Sequence, residues 1–95
     1  MRIAICDDSK RDREDLYDSI RLAKVACECE YDLFPSGDKL LAAVTAGDTY
    51  DIVFLDVDMP YLDGIEVGKR LRRDNKDIII IFLLQLQSVI IRQAF

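Results

Sequence analysis

The sequence predicts an α/β domain built on a parallel, doubly wound sheet, and three observations carry that prediction. Short apolar runs at residues 3–6, 52–55 and 78–83 have the near-continuous hydrophobicity of strands covered on both faces. Between them, apolar residues recur every three or four positions, the spacing of one helix face. Two of the apolar runs end directly in acids, Asp7-Asp8 and Asp56. Carboxyl ends of strands are where open α/β sheets place their chemistry.

Taken in order, residues 2–6 read as a short buried strand entering Asp7-Asp8. Asp8 or Ser9 then caps a helix, with Leu16, Ile20, Ala23 and Cys27 on one face and Arg11, Arg13, Glu14 and Asp18 on the others. Cys29, Tyr31 and Leu33 alternate with Glu30 and Asp32, the pattern of a half-exposed strand at a sheet edge. Pro35-Ser36-Gly37 ends that strand, and Ser36 caps a helix carrying Leu40, Leu41 and Val44 that stops near Gly47.

Residues 52–55 form the central strand and 59–63 a loop. Asp63 or Gly64 opens a third helix with Ile65, Val67 and Leu71 apolar, and Gly64 itself reads as a helix-start or turn glycine. Residues 78–83 give a fourth strand and 87–95 a terminal helix. Alternation of this kind implies parallel strands joined by right-handed crossovers.

Composition narrows the function classes. With 51% hydrophobic and 33% charged residues, the 95-residue chain reads as one folded domain over 1–95, with no room for a second. A net charge of -5 argues against direct nucleic-acid binding, and the basic stretch Lys69, Arg70, Arg72, Arg73 and Lys76 reads as a solvated helix face. Cys6, Cys27 and Cys29 lack paired zinc spacing, and no histidine is present to complete a mixed site, so they read as reduced packing residues. Residues 78–91 are apolar but shorter than the ~20 residues a bilayer-spanning helix needs. Only a four-residue apolar stretch follows Met1-Arg2 before Asp7, too short for a secretory signal, and the expected compartment is the cytoplasm.

The acids carry the functional reading. Asp7-Asp8 and Asp56 end strands one and three, which are neighbours where the winding direction of such a sheet reverses. Three converging carboxylates repel one another by an amount on the order of several kcal/mol unless a proton or cation intervenes. A hard divalent cation resolves the conflict, and Mg²⁺ suits a few carboxylate oxygens, a main-chain carbonyl and retained waters. The bland alternative is that Asp7, Asp8 and Asp58 only cap helices or turns.

On these residues the chain resembles the receiver domains of two-component response regulators. MRIAICDDSKRDREDL is similar to their first strand, acidic pair and first helix, and DIVFLDVDMPYLDGIEV to their third strand, phosphoacceptor loop and third helix. The likeness runs from Met1 to about Leu83, with wording most similar to receivers attached to LytTR-type DNA-binding domains. The resemblance implies a flavodoxin-like sheet of strand order 2-1-3-4, here missing the fifth strand and fifth helix. It makes Asp56 the phosphoacceptor, Asp8 and Asp56 direct Mg²⁺ ligands, Asp7 an indirect or water-mediated one, and the main-chain carbonyl of Asp58 a further ligand. Mn²⁺ is an alternative ion. The implied donor is a phosphohistidine on a sensor histidine kinase, and the implied chemistry stops at self-phosphorylation and self-dephosphorylation.

The family pattern is incomplete. Receivers place Ser or Thr at the end of the fourth strand and Lys at the end of a fifth; here Leu84 takes the hydroxyl position, with Gln85 and Ser88 beyond it, and no lysine follows. Two further readings stay open on that account. One is a degenerate receiver that acts as a non-phosphorylated interaction module. The other is a haloacid-dehalogenase-like phosphatase, with Asp56 as nucleophile and Asp58 as acid/base. With no fifth strand expected, the outer edge of strand four and the terminal helix would be open, which predicts a homodimer through one or both.

Overall fold

The computed structural model describes residues 1–23 and 28–84 together with the backbone of 89–92. In chain order the elements are β1 (Arg2–Cys6), α1 (Lys10–Leu22), β2 (Glu30–Phe34), α2 (Gly37–Thr45), β3 (Ile52–Asp56), α3 (Gly64–Asp74), β4 (Ile79–Leu84) and β5 (Val89–Arg92). They build one sheet of order β2-β1-β3-β4-β5. The first four strands are parallel, as the continuous apolar runs require, and β2 lies at the edge. The winding reverses between β1 and β3, so their carboxyl ends open on the same crevice.

The helix starts follow their side chains. Ser9 Oγ accepts from the Asp12 amide at 3.2 Å, Ser36 Oγ from Lys39 at 3.3 Å and an Asp63 carboxylate oxygen from Glu66 at 2.9 Å. Each satisfies an amide that the first helical turn leaves without a partner. On one face of the sheet Val53, Leu55, Ile80 and Phe82 pack with Leu40 of α2 and Val67 and Leu71 of α3. Each such side chain, taken fully from water, contributes about 2 kcal/mol. The other face is thinner: Ile3, Ile5 and Phe54 lie under Leu16, Tyr17 and Ile20 of α1, a helix with no fully buried residue.

Two expectations need correction. A fifth strand is present: β5 pairs antiparallel with β4, from Ile81 opposite Arg92 to Leu84 opposite Val89. The terminal helix is therefore absent at 89–92, while 87–88 and 93–95 lie outside the described residues. The physical reason is the exposed ladder of β4: a β-prone Val-Ile-Ile run a short connection away pairs with it directly, since antiparallel neighbours need no crossover. The edge that motivated a homodimer is thus occupied.

The second correction concerns Arg72, which is buried rather than solvated. Its guanidinium donates to the carbonyls of Asn75 (3.0 Å), Lys76 (2.7 Å) and Ile78, tying the end of α3 to the start of β4. Finally, α1 ends at Leu22, and Cys27, expected on its apolar face, lies outside the described residues. Cys6 is buried and Cys29 half-buried, and neither is in a disulfide among the described residues.

Candidate functional site

Because β1 and β3 are adjacent and in register from Ile3–Ile52 to Cys6–Leu55, the residues just past their ends meet. Asp7, Asp8 and Asp56 each offer a carboxylate oxygen, and these oxygens all lie within 4.8 Å of one another. Asp7 and Asp56 are buried, at 5% and 1% exposure, whereas Asp8 faces solvent. All three acids that the sequence singled out for this place are found there.

Local bonds orient them. Asp7 Oδ1 accepts from the Ser9 amide at 2.9 Å, its amide donates to the Phe34 carbonyl at 3.1 Å, and its carbonyl accepts from Arg13 Nη1 at 2.8 Å. Asp56 Oδ1 accepts from the Asp58 amide at 3.1 Å, which folds the start of the loop back over the carboxylate. Asp56 Oδ2 is buried with no hydrogen-bond partner. A buried carboxylate oxygen left alone is costly, and a cation offsets it.

Burial pushes the Asp56 carboxyl up to about 7, with the charge of Asp7 adding and the Asp58 N–H opposing. Burial likewise raises Asp7, against the Ser9 N–H. The Cys6 thiol beneath them, 3.8 Å from Met59 Sδ, is pushed up to about 12 by burial and then by Asp7 and Asp56. It is held as an inert packing group. An all-oxygen set with one orphaned buried oxygen and one solvent-facing carboxylate fits a hard, partly hydrated cation such as Mg²⁺.

The loop after Asp56 is shaped by residues the sequence reading treated more simply. Met59 is buried in the core cluster and Pro60 is exposed. Gly64 is more than a helix-start glycine: a Cβ there would lie 2.1 Å from the Asp56 carbonyl oxygen and 2.8 Å from its carbon. Its amide donates to the Val57 carbonyl at 3.0 Å, so α3 begins in direct contact with the backbone that carries Asp56. Arg13 was also missed as a site neighbour; its place one helical turn after Ser9 was the available signal.

On the other side of Asp56, Leu83 is its register partner in β4, and Leu84 follows as the last residue of the strand, 36% exposed. Leucine therefore stands at the strand end, as the sequence suggested, and β5 carries Val-Ile-Ile-Arg with no lysine. Gln85 and Ser88 lie outside the described residues.

Comparison with known proteins agrees with this geometry. The model of the response regulator receiver domain matches residues 3–94, and the chain belongs to that family. It is 36% identical over 94 residues to the response regulator MprA of Mycobacterium avium (strain 104), covering 99% of this chain and 39% of that protein. The chain thus spans about two-fifths of the length of these relatives. A 50-residue stretch, 50% of the chain, is 42% identical to hybrid signal transduction histidine kinase L of Dictyostelium discoideum, of which it covers 3%.

Among solved structures, the response regulator TrrA of Thermotoga maritima in complex with Mg²⁺ and BeF superposes with a TM-score of 0.75 at 34% identity, covering 86% of this chain and 67% of that one. The complex of the histidine kinase ThkA with TrrA matches with a TM-score of 0.73 at 31% identity, covering 93% of this chain and 74% of that one. The protein is a receiver-type α/β domain, and the parallel order 2-1-3-4 is the family's sheet.

Proposed function

We propose that this chain is a phosphorelay receiver module in which Asp56 accepts a phosphoryl group from a phosphohistidine of a sensor histidine kinase. The observation that carries the reading is Asp56 Oδ2, buried and without a hydrogen-bond partner beside Asp7 and Asp8. In the proposed step an Asp56 oxygen attacks phosphorus, the P–N bond to the donor imidazole breaks, and its electron pair stays on that nitrogen. Asp8 and Asp56 would hold Mg²⁺, or Mn²⁺ in its place, directly, with the Asp58 main-chain carbonyl as a further ligand and Asp7 acting through water. When bound, such an ion would supply positive charge to offset that on the phosphoryl oxygens. Support for the ion and the donor comes from TrrA, solved with Mg²⁺ and BeF and in complex with ThkA.

The module is residues 1–95 read as one unit, working in the cytoplasm, without direct contact to nucleic acid and with no turnover beyond gain and slow loss of its own phosphoryl group. No helix among the described residues is long and apolar enough to cross a membrane. Homodimerisation through the edge of β4 is not part of the proposal, because β5 fills that edge. The phosphatase reading leaves Asp7 and Asp8 without a role and does not match the family.

Leu84 favours a second reading, an interaction module that is not phosphorylated. With leucine in place of a hydroxyl at the end of β4, the acyl phosphate loses a charge-assisted contact worth about 1.5–3 kcal/mol. Fluorine NMR with Mg²⁺ and beryllofluoride separates the two. A bound resonance that disappears in Asp56→Asn supports acceptance at Asp56; no bound resonance in a folded sample favours the interaction module.

A further inference from the structure

The loop between β3 and α3 is anchored almost throughout. The Gly64 amide closes it on the Val57 carbonyl at 3.0 Å, Met59 and Leu62 pack into the core, and Asp63 caps α3. The exception is Tyr61. Its side chain is fully exposed at 103%, with no hydrogen bond or ring contact among the described residues. Its backbone is left-handed at φ 68, the one non-glycine residue with positive φ among those described. The Leu62 amide donates across it to the Pro60 carbonyl at 2.8 Å, an i to i+2 bond that makes this the rare, strained form of γ-turn.

A bulky L-residue is disfavoured in that conformation, and glycine adopts it freely. Nothing inside the described fold compensates for a tyrosine here. The turn presents the side chain to solvent, and the Tyr61 Cα lies three steps from that of Gly64, hence no more than ~11 Å from the residue that touches the Asp56 backbone. Exposed Asp58 and Asp63 flank the turn.

We propose that Tyr61 is a docking anchor, the ring that the loop over the carboxylate cluster inserts into an apolar pocket with a basic rim on the phosphohistidine-bearing domain of the kinase. This rests on reading Asp56 as the acceptor of that domain's phosphoryl group. The turn fixes the Cα–Cβ bond of Tyr61 toward solvent, so the backbone needs no reordering on contact, and tyrosine is a residue type on which interface affinity concentrates. The acids on either side match a basic rim and disfavour an acidic one.

The test uses the whole chain and Tyr61→Gly, which suits a positive φ and is expected to melt no lower than the parent. Binding to the phosphohistidine domains of the source organism's own histidine kinases is measured by interferometry. Beryllofluoride binding at Asp56 is measured alongside by fluorine NMR. The expected result is a parent that binds at least one such domain, a Tyr61→Gly variant that binds it about tenfold or more weakly, and equal beryllofluoride spectra. Equal affinity of the two proteins, or a parent that binds none of the domains, overturns the anchor and leaves the Asp56 reading intact. A tenfold loss of affinity with no beryllofluoride bound by the parent supports the anchor and overturns the Asp56 reading instead.

Discussion

Asp56, the proposed nucleophile, sits where two demands conflict, since a nucleophile must be ionised while burial disfavours the charge. Its folded carboxyl is pushed from 3.8 up to about 7, so between those values the native protein holds a proton that the unfolded chain has released. Stability without metal must then fall as pH rises from about 4 to 7, by roughly 1–3 kcal/mol. Thermal melts across that range should show the decline. Asp56→Asn should flatten it, and millimolar Mg²⁺ should raise the melting temperature at pH 7–8 by binding only the folded cluster. Asp8→Ala should remove the Mg²⁺ gain, because Asp8 is the solvent-facing arm of the cluster. A melting temperature indifferent to Mg²⁺ in the parent protein would count against the metal site. The convergence of these acids was legible from two strand ends alone. The partnerless oxygen of Asp56 was not, because it depends on how the loop folds back.

At the scale of elements, the site depends on how α3 is seated at both ends. Gly64→Ala would drive a methyl group to 2.1 Å from the Asp56 carbonyl oxygen, and neither backbone can yield without moving the carboxylate. The expected cost is about 1–3 kcal/mol together with weaker Mg²⁺ binding, read by melts with and without the ion. At the other end, Arg72→Ala leaves three carbonyls without their donor, for a loss of roughly 1–3 kcal/mol. Arg72→Lys should recover little, since an ammonium does not reproduce a planar fork that spans Asn75, Lys76 and Ile78. Helix starts were readable here because Ser9, Ser36 and Asp63 act locally. Arg72 was misread, and Gly64, which does start α3, was read only in part, for the same reason in reverse: their further roles come from contacts across the fold, and a basic run on a helix gives no hint that one of its members turns inward.

At the scale of the whole molecule, alternation and apolar runs specified a parallel sheet and its reversal point. The last strand escaped because Val-Ile-Ile-Arg has no periodicity that distinguishes helix from strand, and the open edge of β4 decides the matter. Ile90→Pro combined with Ile91→Pro removes ladder donors whichever way alternate amides point. Light scattering after size exclusion should give the parent a mass near 10.9 kDa at all concentrations and the double variant a larger, concentration-dependent one. A parent mass that rises with concentration would show that β5 does not close the sheet. The proposed function stands on Asp56 as phosphoacceptor, and intact-mass spectrometry after incubation with Mg²⁺ and acetyl phosphate tests that most directly. The predicted result is a gain of one phosphoryl group in the parent, mapped to Asp56 and absent from Asp56→Asn. A folded parent that gains none, or an adduct that persists in Asp56→Asn, would contradict it.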